Sequence, residues 1–230
     1  MQLLSTLALL AISLSGVAPL LTTTFPRIPL PSSIHPVPLP VPACNPSPGW
    51  QWASYSGPFT GLEDASTLQT RRPKENGTSP SIGWIAVPGW TDDTLNASNS
   101  FAMQHRAYLL VPQSGRYSFA FSGVIDRVRV WLGSEAAYAG YTNGNQDDSF
   151  FYQRIDAGDF EQGAGVVEKY FAAGQYVPVR VLYYNAGHSG DFIMKMTGPD
   201  RQELSDDYAM LSGCDENGKP VTFRRWGNEA

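Results

Sequence analysis

Residues 176–184 alternate strictly: Tyr176, Pro178, Arg180 and Leu182 fall on one side, Val177, Val179, Val181 and Tyr183 on the other. A period of two, rich in β-branched and aromatic side chains, is the signature of a strand. The same pattern predicts strands over 49–55, 82–87, 105–111, 116–122, 127–132, 166–171 and 192–197. Tyr117, Phe119 and Phe121 share one face, as do Val128, Val130 and Leu132, and Trp50 and Trp52. Pro112-Gln-Ser-Gly115 reads as a hairpin turn between two strands, and Gly174 as the turn of a second hairpin that joins 166–171 to the strand beginning at Tyr176. Residues 61–80 read as a polar loop in which Arg71-Arg-Pro-Lys74 is a solvated basic cluster. No stretch sustains apolar spacing of 3.6; residues 204–211 allow one or two helical turns. Short strands between Gly- and Pro-rich turns predict an all-β fold, an antiparallel β-sandwich of jelly-roll type.

The two ends depart from this pattern. Residues 1–18 carry an apolar core over 7–14 and small residues at Gly16 and Ala18, as a secretory signal peptide does. Residues 19–43 follow as a Pro-rich linker, with Pro36-Val-Pro-Leu-Pro-Val-Pro42 in strict alternation. Proline fixes φ and lacks an N–H, so such a run favours an extended polyproline II spacer. The folded domain is expected over 44–214, and 215–230 as a mixed polar tail within which 221–226 has the makings of an edge strand.

Composition narrows the function. With 42% hydrophobic and 16% charged residues the chain has material for a core. A net charge of −5 without a basic stripe argues against nucleic acid and leaves sugars, peptides and cations open. No apolar run besides the leader approaches the length of a membrane span. Cys44 and Cys214 are the two cysteines, and in an oxidising compartment they are expected to pair. Asn76-Gly-Thr78 and Asn96-Ala-Ser98 are glycosylation sequons at Asn76 and Asn96. His188, Ser189 and Asp191 invite a hydrolase reading, but triads form across a fold rather than by crowding in sequence. No Gly-x-Ser-x-Gly elbow, His-Glu-x-x-His zinc pattern or P-loop occurs, so the expectation is a protein that is not an enzyme.

Four motifs carry a resemblance. Gly49-Trp-Gln-Trp-Ala53 with Tyr55 follows Cys44; Gly61-Leu-Glu-Asp-Ala65 is a chance near-match to the same pattern. Arg116-Tyr-Ser-Phe leads to Ile125-Asp-Arg-Val-Arg-Val-Trp-Leu-Gly133, then Ala136-Ala-Tyr-Ala-Gly-Tyr141 and Asn145. Ala173-Gly-Gln-Tyr-Val-Pro-Val-Arg-Val-Leu-Tyr-Tyr-Asn-Ala-Gly187 is the longest, and 192–197 runs into Gly198-Pro-Asp200. In this order the chain resembles the GLEYA-type domain of fungal adhesins, related to flocculins and to the protective-antigen lectin-like fold, over 44–214.

That resemblance implies a secreted lectin, extracellular or associated with a cell wall, whose partners are surface glycans. It implies a Ca²⁺ at one end of the sandwich, with sugar hydroxyls completing the metal shell. The ligands carried over are Asp126, the Asn185 side chain and the carbonyls of Gly187 and Ser189; the sugar is expected against Asp126, Asn185, His188, Ser189 and Asp191. The family's paired aspartates are here Ile125-Asp126, so one carboxylate is missing from a cation that wants six to eight oxygens. Asp191 or Asp147 is a candidate substitute. The alternative function is a structural or protein-binding sandwich whose site has decayed. Trp131 is expected in the core, and Tyr138 and Tyr141 either in loop packing or stacked on a sugar.

Overall fold

The computed structural model describes residues 44–57, 59, 65–83, 100–124, 127–134, 137, 151–154, 163–185 and 192–229. Residues Leu39–Ala230 make one compact unit. The expected leader at 1–18 and linker at 19–43 lie outside the described residues, and so does most of the predicted strand 82–87.

Two antiparallel sheets stack face to face. The larger has the order β2 (Glu75–Ser79), β1 (Trp50–Ser56), β3 (Phe101–Leu110), β8 (Tyr176–Asn185), β5 (Arg127–Leu132), β6 (Phe151–Arg154). A two-residue strand, β10 (Ala209–Met210), adds to β3. The smaller sheet is β7 (Gly163–Phe171), β4 (Gly115–Val124), β9 (Ile193–Thr197). A further pair, β11 (Gly213–Cys214) and β12 (Pro220–Val221), closes the chain. The all-β antiparallel sandwich expected from the alternation is what forms.

The faces obey the sequence pattern. Val177, Val179, Val181 and Tyr183 point from β8 into the space between the sheets, where they meet Tyr117, Phe119 and Phe121 of β4 and Val128, Val130 and Leu132 of β5. Trp50 and Trp52 lie on this inner side too, Trp50 buried and Trp52 partly so. Fully burying side chains of this size stabilises by about 1.5–3 kcal/mol each, so this layer dominates the fold's energy. The opposite face of the large sheet is also covered. Tyr55, Leu182, Tyr184 and Trp131 form a second buried cluster with Phe59, Leu68 and Ala137. Trp131 is therefore a core residue, as expected.

Both expected hairpins are corrected. Gly115 does begin a strand, but β3 belongs to the large sheet and β4 to the small one. The turn at Pro112-Gln-Ser-Gly115 therefore carries the chain across the sandwich. The same holds between β7 and β8, where Gly174 takes φ of 81°, a left-handed conformation that favours glycine. The two crossings bind each other: Gly174 N donates to Val111 O at 2.8 Å and Val111 N to Gln175 O at 2.9 Å. β8 pairs with β3 and β5 instead, at long range. Local turn chemistry signals a reversal but not which sheet receives the next strand.

Within 61–80, expected as loop, the structure has a 3-10 turn at Ala65–Leu68 and strand β2. β2 is Glu-Asn-Gly-Thr-Ser, without a hydrophobic period; its backbone pairing to β1 holds it. Residues 204–211 hold one 3-10 turn, Asp206–Tyr208, followed by β10. The segment 215–229, expected as a tail, packs into the folded unit: Phe223 and Glu229 are buried, and Phe223 stacks on Tyr108 with centroids 4.4 Å apart.

His105 is fully buried on β3, edge-on to Phe192 with centroids 5.9 Å apart. Burial pushes its imidazole from 6.5 down to about 4, with the Gly83 backbone opposing weakly. Between those values the unfolded chain takes up a proton that the folded protein refuses. The stability from neutral His105 is thus complete above pH 6.5 and is lost as pH falls towards 4. A displacement of this size corresponds to about 3 kcal/mol. Urea midpoints at neutral pH and near the lower limit, for the wild type and His105→Leu, check this. The variant is expected to lose markedly less stability on acidification.

Candidate functional site

β8 ends at Asn185, and its neighbours bring other strand ends beside it. Phe101, the first residue of β3, pairs with Asn185, and Arg127, the first residue of β5, pairs with Tyr184. Ser56 at the end of β1 pairs with Phe101, and Arg154 at the end of β6 pairs with Arg127. One end of the large sheet therefore gathers five strand termini. Loops at such an end are held by a rigid scaffold, which suits a binding site.

Asn185 is fully buried, and its Nδ2 donates to the Tyr183 hydroxyl at 3.3 Å. Tyr183 packs edge-on against Phe101 at 5.9 Å and tilted against Phe192 at 5.5 Å. The amide nitrogen is thus turned to the protein by a ring itself wedged between two others. The amide oxygen is the end whose chemistry suits a hard cation or a sugar hydroxyl.

Of the other residues expected at the site, Asp126, Gly187, His188, Ser189 and Asp191 lie outside the described residues, as do Asp147, Tyr138, Tyr141 and Asn96. Of the implied calcium ligands the described residues supply Asn185, whose oxygen fits. Ile125 brings no carboxylate. Among the described residues no cluster of three His, Cys, Asp or Glu side chains could hold a metal. Asn76 is exposed on β2, opposite Ala53. Cys44 and Cys214 form the expected disulfide, with Cα atoms 6.1 Å apart.

The structure also assembles a group that the sequence did not announce. Arg106 and Arg180 face each other across β3 and β8, two like charges in register on the outer side of the sheet. Glu229 bridges them. It pairs with Arg106 and, through Oε1, with Arg180 Nη2 at 2.7 Å, while its Oε2 accepts from Arg180 Nη1 at 3.1 Å. Gln104 Oε1 accepts from Arg180 Nη1 at 2.8 Å, and Gln51 Oε1 from Arg106 Nε at 3.0 Å. Trp226 lies flat under Arg106, whose guanidinium carbon is 3.5 Å from the ring centroid. Burial, and after it the charge of Arg180, lowers the Arg106 guanidinium to about 9; Glu229 opposes this. Arg180, the one charged residue of β8, was the available signal. Its partner, 49 residues away, carried none.

The described strands define a class of fold: a two-sheet antiparallel sandwich with its candidate site at one end of the larger sheet. The sequence model of the GLEYA domain matches residues 101–198. That stretch runs from the first residue of β3 to one residue beyond β9. It includes the whole small sheet and Asn185.

Among solved structures, the chain is similar to the epithelial adhesin 9 A domain of Candida glabrata in complex with Galβ1-4GlcNAc. The identity is 15%, with 80% of this chain and 93% of that chain covered and a TM-score of 0.50. The epithelial adhesin 6 A domain of the same organism, in complex with Galβ1-3GlcNAc, is 16% identical, with 79% and 95% covered and a TM-score of 0.50. At such identities the likeness establishes the fold. A β-glucosidase from Kluyveromyces marxianus in complex with glucose aligns at 15% identity over 16% of its length, with a TM-score of 0.43, too loosely to bear on catalysis. No curated protein matches the chain.

Proposed function

We propose that this protein is an extracellular carbohydrate-binding adhesin module that binds glycans without catalysis, at the end of the sandwich where β8 stops and β5 begins. The observation that carries this reading is the GLEYA match over 101–198, which contains both strand ends. In this reading Asn185 lies beneath the sugar and presents its amide oxygen to a weakly held Ca²⁺. Asp126 and the carbonyls of Gly187 and Ser189 complete the grip, and His188 and Asp191 flank the sugar. The disulfide supports export, since such bonds persist in oxidising compartments. The apolar leader at 1–18 points the same way. On that route the sequons at Asn76 and Asn96 would be glycosylated.

The test is a glycan array on the full chain, including Galβ1-4GlcNAc and Galβ1-3GlcNAc, with and without EDTA. Asn185→Ala is expected to weaken the best hit at least tenfold, roughly 1.4 kcal/mol, in protein that still unfolds cooperatively at a somewhat lower temperature. The absence of any glycan signal from folded protein at millimolar calcium would overturn the proposal.

Ile125 in place of an aspartate favours a second reading, a protein-binding sandwich whose sugar site has decayed. Calorimetry separates the two. Calcium heat that Asp126→Ala removes supports the lectin; a flat titration together with a blank array supports decay.

A further inference from the structure

A second site lies on the outer face of the large sheet. A cleft of about 730 Å³ opens there between the segment leading into β2 and the C-terminal segment. Arg72 and Lys74 line it from the first, Arg224, Arg225 and Trp226 from the second. Among the described residues twelve line it, of which five are cationic and none is acidic. Arg106 belongs to the buried group with Glu229, whereas Arg72, Lys74, Arg224 and Arg225 are exposed. A chain of net charge −5 thus gathers four of its sixteen cations at one concave place. Concave surfaces lined by one sign of charge focus the field on a ligand of the opposite sign.

The cleft is built rather than incidental. Glu229 N donates to Gln69 O at 3.2 Å, and the Glu229 carboxylate is anchored in Arg106 and Arg180. These contacts pin the C-terminal segment beside the 65–74 stretch, so that Arg225 and Arg72 line one cleft although 153 residues separate them. Arg71, next in the chain, is held the same way: its Nη2 donates to Ser56 O, and its guanidinium lies 5.0 Å from the Phe59 ring centroid. Asn76 and Thr78 add an amide and a hydroxyl to the rim.

We propose that this cleft binds the acidic groups of a polysaccharide, carboxylate or sulfate, separately from the sugar site at the end of the sandwich. Guanidinium groups match the planar, two-oxygen geometry of carboxylates and the tetrahedral oxyanions. The amide and hydroxyl on the rim suit the sugar's own hydroxyls. Nucleic acid is the poorer fit. Its single strands want a row of aromatic platforms. Here the two rings among the lining residues are already engaged, Phe223 stacked on Tyr108 and Trp226 under Arg106. The inference goes beyond the glycan reading above, because the residues, the ligand charge and the metal dependence all differ.

The test is anisotropy with labelled heparin oligosaccharide, oligogalacturonate, a neutral maltooligosaccharide and single-stranded DNA of matched length. Saturable binding of heparin or oligogalacturonate, and none of the neutral chain, is expected; which of the two binds tells sulfate from carboxylate. Raising salt from about 50 to about 300 mM should weaken it roughly tenfold or more, by screening. Arg72→Ser with Arg225→Ser should weaken it at least tenfold, whereas Arg116→Ser, on the small sheet, leaves it unchanged. EDTA has no effect, which distinguishes this binding from that of the calcium-assisted site. Because the Asn76 sequon opens on the cleft, Asn76→Gln is measured alongside; binding by either form supports the proposal. No acidic-glycan binding by both forms, equal binding by the double variant, or tighter binding of the DNA overturns it.

Discussion

Replacing both Cys44 and Cys214 by serine is expected to lower the unfolding free energy by about 5 kcal/mol, on chain-entropy reckoning for so long a loop. The bridge joins residues 170 apart, so nearly the whole folded unit lies inside the closed loop. Native contacts around it are modest. Leu211 N donates to Ser47 O at 2.9 Å and Gly49 N to Ala209 O at 2.7 Å, and one bridge joins Pro48 to Met210. Without the covalent link these short pairings remain, with two side-chain hydrogen bonds, Trp50 Nε1 to Asp206 Oδ1 at 2.8 Å and Gln51 Nε2 to Leu211 O at 2.9 Å, to tie the start of the folded chain to its last strands. A loss of this size lowers the melting temperature by on the order of 10 °C in a domain of this length. Glycan binding of the folded fraction should survive. β11 sits against Tyr108 and Tyr176, whereas Asn185 lies at the far end of β8, roughly 30 Å away at strand rise. Melting curves of the variant, beside array signals at a temperature where it is folded, check both halves. An unchanged melting temperature would show that the pairings suffice.

Glu229→Ala is the second large effect, expected to cost about 3–5 kcal/mol. The carboxylate is the common partner of two arginines that face each other in register, all three buried. Removing it leaves two adjacent positive charges in a low-dielectric layer, where Gln104 accepts from Arg180 and Gln51 from Arg106 but neither supplies a negative charge. Glu229→Gln keeps the shape and loses the charge, so it should fall between wild type and alanine. Replacing all three members by apolar residues of similar volume, Arg106→Met, Arg180→Met and Glu229→Leu, is expected to recover much of the loss, because the penalty lies in the unpaired charges. Chemical denaturation of the four proteins decides it. If alanine costs less than about 1 kcal/mol, the group behaves like an exposed ion pair and its assignment as a buried keystone is wrong. Because Glu229 also pins the C-terminal segment, Glu229→Ala should weaken acidic-glycan binding at the basic cleft as well.

Much of the fold was legible because strand periodicity is a local property. The inward sets of β4, β5 and β8 were readable from alternation alone, and each reached the interior. β2 was not readable. Its five residues carry no hydrophobic period, and its pairing to β1 is made by backbone groups that every residue has. The sheet switches at Pro112–Gly115 and at Gly174 were misread as hairpins for a related reason. A turn residue reports the local φ, whereas the sheet a strand joins depends on partners such as β3 and β8, whose paired residues are 66–84 positions apart. At the candidate site, Asn185 was legible from its motif. That it is buried and turned by the Tyr183 hydroxyl was not, because that hydroxyl is placed by Phe101 and Phe192 from other strands.

Alternation, turn residues, two cysteines and a run of family motifs were enough to reach an antiparallel sandwich, the Cys44–Cys214 bridge and the resemblance to the GLEYA domain. These follow from short-range patterning and from counting. Charge behaved differently. Read along the chain, Arg71-Arg-Pro-Lys74 was a solvated cluster and 215–230 a polar tail. Folded, the Glu229 carboxylate of that tail bridges two buried arginines, and the tail's Arg224 and Arg225 join Arg72 and Lys74 in a single cleft. Electrostatic partners are chosen by distance in space, and only packing the C-terminal segment onto the sheet brought these charges within reach of one another.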